Sequence, residues 1–235
     1  MKTTVSFILA SCSALFLGLS APSGKAGDAA YPEALGFSTD GARFAFAEWG
    51  REDGSGFAYA SVYAIDLVRD AWLASPVRVT VEDETAAPRA ALTKALAAAG
   101  DMMESAGIGA PARQVYARPF HSEAEDEGEV RWARFGALDG RETMAAFRLE
   151  VFEIASTCPD QAFGFALIWD GEAIYRDARL SRSRGCPVGY SVERVYVDDQ
   201  SLRPRFAVAL IGIRRRGFEG VDLRHMAVPI PLGGG

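Results

Sequence analysis

Alternation of bulky and small or polar residues dominates the chain from about residue 31 onward, the period-two signature of half-buried strands. Arg43-Phe44-Ala45-Phe46-Ala47-Glu48-Trp49 alternates in this way. In the next run, Tyr59, Ser61, Tyr63, Ile65 and Leu67 share one face, and Ala60, Val62, Ala64 and Asp66 share the other. The Asp40-Gly41 pair is a turn signal before the first of these runs, and Val68-Arg69-Asp70 turns the chain after the second. Trp72 and Val77-Arg78-Val79 resume extended chain. Residues 27–84 therefore predict an N-terminal antiparallel meander. Further strands are predicted at 114–117, 130–135, 145–154, 162–169, 172–175, 190–197, 205–214 and 223–230. The Asp170-Gly171 pair between two of them is a hairpin signal.

The period changes once. Between Thr85 and Ala106, Leu92, Leu96, Ala99 and Met103 recur at helical spacing and form one apolar stripe. Thr85 is the expected cap, Pro88 fits the first turn, and Gly107 is a natural terminating residue. Frequent strands with one helix predict a mainly β, antiparallel, β-sandwich-like single domain. It would comprise a meander over 27–84, a helix over 85–107 and C-terminal sheets over 108–232, with 233–235 as a flexible tail.

The N-terminus has a different pattern. Met1-Lys2 is followed by an uncharged apolar run over 5–19 and a small, turn-prone stretch over 20–27. This is the three-part order of a secretory signal, and the apolar run is short for a membrane span. Gly24 and Ala26 place cleavage before Gly27, and Gly18 with Ser20 offers a second site. Leu9-Ala10-Ser11-Cys12 also fits a lipobox, which would anchor the chain through a lipidated Cys12. The seven-residue stretch 13–19 is apolar where a lipoprotein has a polar tether, so ordinary cleavage is the reading adopted. No other stretch is apolar enough to span a membrane.

Removing residues 1–26 takes away Lys2 and Lys25 and no acid, moving the net charge from −6 to −8. An acidic chain of this kind is a poor nucleic-acid binder. Cys158 and Cys186 are then the only cysteines, and an even pair in an exported chain predicts one disulfide.

Two resemblances add to this picture. Residues 37–46 (Phe-Ser-Thr-Asp-Gly-Ala-Arg-Phe-Ala-Phe), with Val62-Tyr63-Ala64-Ile65-Asp66-Leu67, resemble one blade of a TolB-type β-propeller. A propeller needs at least four blades, so the likeness is to a local hairpin over 37–67. More broadly, Asp53-Gly54-Ser55-Gly56-Phe57-Ala58-Tyr59, Pro76-Val77-Arg78-Val79, the helix, and Gly217-Phe218-Glu219-Gly220 with Arg224 and Ala227-Val228 resemble a bacterial family of predicted secreted proteins of unknown function. That resemblance implies export and a shared fold, and brings no activity or catalytic residue.

Candidate chemistry is sparse. His121 and His225 are the only histidines, too few for a histidine zinc site, and no nucleophile elbow is present. His225, in an apolar strand, is expected to be a satisfied core or surface histidine. Glu123, Glu125, Asp126, Glu127 and Glu129 form an acidic run without calcium-loop spacing. Arg214-Arg215-Arg216, with Arg203, Arg205 and Arg224, could meet an anionic envelope partner, or could be solvated strand ends. The Gly-rich loop from Gly50 to Phe57 is the best candidate contact surface, with Trp49, Asp53, Ser55, Phe57 and Tyr59 as binding residues. The sequence therefore predicts a periplasmic binding or envelope-interaction protein without a cofactor. A small hydrolase using Asp and Glu carboxylates is the alternative.

Overall fold

The computed structural model describes residues 27–118, 129–135, 142–218 and 220–232. The signal segment with Cys12, His121, most of the acidic run (Glu123, Glu125, Asp126 and Glu127) and the tail lie outside the described residues.

Among the described residues the strands form three antiparallel sheets. The first contains β1 (Tyr31–Ser38), β2 (Arg43–Arg51), β3 (Ala58–Asp66), β4 (Ala71–Trp72), β5 (Val77–Val81) and β6 (Ile108–Ala110). Its order is β4-β3-β2-β1-β6, with β5 also paired to β3. A central sheet has the order β14-β13-β12-β7, from β7 (Ala112–Ala117), β12 (Pro187–Asp198), β13 (Phe206–Arg216) and β14 (Val221–Pro231). An outer sheet has the order β11-β10-β9-β8, from β8 (Glu129–Phe135), β9 (Glu142–Glu153), β10 (Phe163–Trp169) and β11 (Glu172–Arg176). Helix α1 (Pro88–Ala98) covers the free face of the first sheet, followed by the short α2 (Gly100–Ser105).

The bulky-small alternation decides which layer meets which. On the first sheet Ala47, Ala58, Ala60 and Val62 face the helix, which answers with Ala91, Leu92, Ala95 and Ala99. Small side chains on both surfaces let helix and sheet approach closely. The other face carries Phe37, Phe44, Phe46, Tyr63, Ile65 and Leu67, packed on Tyr196, Val208 and Leu210 of the central sheet. The central sheet is thus covered twice. On β13, Val208 and Leu210 face the first sheet, while Ala207, Ala209, Ile211 and Ile213 face the outer one. That is why 206–213 is continuously apolar apart from Gly212. On β12 the outward-facing set changes parity, from Tyr190 and Val192 to Val195 and Val197. The register shifts between Val192 and Arg194, and one extra residue there inverts every later side chain.

The β-rich antiparallel prediction holds, with three sheets stacked where a simple sandwich was expected. The helix departs from its prediction in three ways. It starts at Pro88 behind an Ala87 cap that makes no side-chain bond. Thr85 does not cap it, because its backbone N–H and hydroxyl are held by Asp83 Oδ1 at 2.8 and 2.6 Å. It also breaks at Ala99, giving two helices where one was predicted. The strand β6 was not foreseen, and it returns to pair with β1. Gly36, at φ 129°, makes that pairing possible, since a Cβ there would lie 2.5 Å from the Ala110 carbonyl oxygen. The blade-like residues 37–67 form part of the first sheet. Cys158 and Cys186 lie at disulfide distance, Cα–Cα 5.7 Å, tying the β9–β10 connection to the start of β12.

Candidate functional site

Polar residues gather where β3, β4 and β5 of the first sheet face the β14 edge of the central sheet. The cleft there has a volume of about 690 Å³ and is also bounded by Tyr175 of β11 and a short 3-10 turn, Arg182–Arg184. This size is typical of small-ligand sites.

The outer edge of β14 is not left bare. The segment 27–30 runs beside it, with a parallel bridge from Ala29 to Leu223. Ala30 N–H donates to the Leu223 carbonyl at 3.0 Å, and Leu223 N–H donates to the Asp28 carbonyl at 2.9 Å. This places the Asp28 carboxylate behind two residues of the cleft wall, accepting from the Tyr59 hydroxyl at 2.7 Å and pairing with Arg224. The Arg224 guanidinium lies over the Tyr59 ring, 4.7 Å from its centre. Burial raises the Asp28 carboxyl above its ordinary value, against the hydrogen bonds from Arg224 and Tyr59. Burial likewise pushes the Tyr59 phenol up. Gly50 sits opposite Tyr59, and a Cβ there would stand 3.0 Å from the Tyr59 hydroxyl.

One residue pair further along the edge, Glu48 takes the place of a neighbouring strand. Its Oε2 accepts the backbone N–H of His225 at 2.8 Å, and His225 Nδ1 lies 3.3 Å from the same oxygen. Its Oε1 accepts the Tyr63 hydroxyl at 2.6 Å. Glu48 is 3% exposed. Burial pushes its carboxyl up, but the bonds and charge of His225, with the Tyr63 bond, outweigh that and hold it below its ordinary value. Burial and the Glu48 charge raise the Tyr63 phenol. His225 Nε2 is buried and has no partner.

A second network supports the turn on the far side. Arg184 Nη1 donates to Asp177 Oδ2 at 2.5 Å and to the Tyr190 hydroxyl at 3.3 Å, and Nη2 donates to the Tyr175 hydroxyl. Asp177 also accepts Phe165 N–H at 2.9 Å and the Tyr175 hydroxyl at 2.8 Å. Gly164 leaves room for it, because a Cβ there would meet Asp177 atoms at 3.2 Å.

The five residues expected to bind do not converge. Tyr59 lines the cleft. Trp49 points to the opposite face of the sheet, stacked on Tyr31 at 5.1 Å and under Arg89 at 4.9 Å. Asp53, Ser55 and Phe57 belong to a turn closed by its own bonds. Glu52 N–H donates to the Phe57 carbonyl at 2.8 Å, and the Ser55 hydroxyl donates to Glu52 Oε2 at 2.9 Å. Arg51 clamps this turn to the approach of the helix, donating to the carbonyls of Gly56, Glu84 and Ala86. The basic group also divides. Arg215 and Arg224 line the cleft, Arg216 pairs with Asp160 at 3.1 Å, and Arg203 and Arg205 lie on a separate surface by Thr39.

The sequence reading missed Glu48, Arg78 and Arg184 as cleft residues, and Asp28 as the support of Tyr59 and Arg224. Glu48 did carry a signal, since it stands at a bulky-face position among Phe44 and Phe46, where an acid must find partners.

No helix among the described residues is long and apolar enough to cross a membrane. Neither curated proteins nor solved structures yield a match to the chain. The family described as predicted secreted protein (DUF2259) matches over residues 45–231, which hold the cleft lining, the central and outer sheets and most of the first sheet, and the chain belongs to that family.

Proposed function

We propose that the protein is a periplasmic binding protein that holds a small ligand in the cleft between the first and central sheets, after removal of a signal peptide before Gly27. The observation that carries this reading is the cleft itself, about 690 Å³, with Glu48, the buried acid of its wall, already committed. Both oxygens of Glu48 and both of Asp28 accept bonds from protein donors. A carboxylate acting as general acid or nucleophile needs an oxygen free to meet substrate. Glu48 and Asp28, saturated in this way, instead fix the walls of a preformed site, which supports binding. The cysteine pair at disulfide distance supports an oxidising compartment.

The test is equilibrium dialysis of the mature protein against a small-molecule extract of the cell envelope, followed by mass spectrometry of retained and altered compounds. Ser183→Trp, at an exposed position on the cleft wall, serves as the blocked control. Retention by the native protein and loss in Ser183→Trp is the expected result. Equal retention by both, or no retention, overturns the proposal, and steady conversion of a compound replaces it with an enzymatic one.

A further inference from the structure

We infer that the ligand of this cleft is a ring compound bearing a phosphate or carboxylate, with its anionic group paired to Arg78 and its ring laid against Trp72. This rests on the binding reading above and specifies its ligand class.

Three observations converge. First, Arg78 lies on β5 directly opposite Ser61, which in turn lies opposite Glu48, so it belongs to the row of residues that crosses the cleft-facing side of the first sheet. Among the described residues it has no ion pair and no side-chain hydrogen bond. Arg184 and Arg224, also in the cleft, differ, with Arg184 held by Asp177 and Arg224 by Asp28. Two further acids line the cleft: Glu52 is engaged by Ser55, and burial raises the Asp70 carboxyl, which favours its neutral form. A guanidinium presents parallel N–H donors that match a carboxylate or phosphate in a bidentate fork, and Arg78 has them all available.

Second, Trp72 lines the same cleft further along β3, opposite Ile65 where Arg78 is opposite Ser61. Its ring packs on Tyr63 at 5.1 Å, yet it stays 46% exposed while lining the cleft. A large aromatic held in place by a second ring, with its remaining surface open, offers a flat apolar platform for another ring. Tyr63 is itself fixed by Glu48, so the platform is rigid before any ligand arrives.

Third, Arg215, reaching the cleft from β13, has its Nε shut away from solvent without an acceptor. A buried unpaired donor is costly and uncommon. The rest of the Arg215 guanidinium lines the cleft and adds its charge to that of Arg78. The chain is acidic overall, so cationic groups left unmatched in this cleft are not the by-product of a general excess of arginine.

The test is an amide NMR titration of the mature protein with four probes: glucose 6-phosphate, glucuronate, glucose and inorganic phosphate. Glucose 6-phosphate and glucuronate should shift resonances of β4 and β5, and their relative strength distinguishes a phosphate from a carboxylate ligand. Glucose should bind more weakly for want of the charge, and inorganic phosphate for want of the ring. Arg78→Gln, at an exposed edge-strand position, should weaken both anionic sugars by about tenfold or more. Trp72→Ala should weaken the sugars while leaving inorganic phosphate unchanged. Binding of glucose as tight as that of its anionic counterparts, unchanged affinity in Arg78→Gln, or no response to either anionic sugar overturns the inference. The dialysis experiment keeps the two readings apart. Neutral compounds retained in the cleft leave the binding reading standing and end this one, whereas an empty cleft ends both.

Discussion

Replacing Glu48 tests the edge of the central sheet directly. In Glu48→Ala, the Tyr63 hydroxyl and the His225 backbone N–H both lose their acceptor inside the protein. Each orphaned buried donor costs about 1–3 kcal/mol. Breaking a buried charged network by deleting one member costs about 3–5 kcal/mol. The expected loss is therefore about 3–5 kcal/mol, a large part of a typical total of about 5–15 kcal/mol. Glu48→Gln keeps the shape and one acceptor oxygen, so its loss should be about 1–3 kcal/mol. Urea unfolding followed by circular dichroism measures both. The pH dependence adds a second reading. Because the folded-state value of Glu48 lies below its ordinary one, its contribution is fully present above the unfolded-state value. It is lost as pH falls through the folded-state value. The stability gap between native protein and Glu48→Gln should accordingly be widest near neutrality and close toward acid. A Glu48→Ala loss below about 1 kcal/mol, or a gap that widens on acidification, would refute the argument that this carboxylate substitutes for a missing strand.

Three further predictions concern other parts of the molecule. Reducing the Cys158–Cys186 pair, or replacing both by Ser, should cost about 3–4 kcal/mol from the loop of sequence separation 28, read as a lower urea midpoint than that of the oxidised protein. Trp49→Ala should lower the melting temperature through lost contacts with Tyr31 and Arg89, and leave anionic-sugar affinity unchanged; a weakened affinity would return the binding surface to the Gly50–Tyr59 region. N-terminal sequencing of protein from the periplasm should begin at Gly27, and a lipidated Cys12 at the terminus would show an anchored protein instead.

Much of the architecture was legible because it depends on local alternation. The two faces of β3 were assigned correctly from Tyr59 to Leu67, since nothing interrupts the period there. Strands with Val, Ile and aromatic runs, such as β13, announced themselves equally well. The short β6 did not, because Ile108, Gly109 and Ala110 are held by β1 and not by their own propensity. The layer order was hidden for a related reason. Periodicity tells which side chains are buried but not which sheet buries them, and β12 even changes parity at its irregularity. The cleft was least legible. Asp28, Tyr59 and Arg224 are far apart in sequence and meet only because the segment 27–30 lies along β14. The Gly-rich loop drew notice for its composition, although its glycines serve a turn, with Gly54 and Gly56 at φ 90° and 70°.

The parallel bridge between Ala29 and Leu223 also sets an order of events during folding. Hairpins such as β2–β3 and β10–β11 join residues close in sequence and can close early, since short loops lose little entropy. The bond from Asp28 to Arg224 spans 196 positions, and no amount of local structure shortens that search. It waits until β14, the last strand among the described residues, has been delivered. A chain threaded across a membrane from its N-terminus would therefore emerge with residues 27–30 unpartnered, and could lock them only when β14 arrives. The cleft, whose wall includes Arg224, would take its final shape only once that tie has closed.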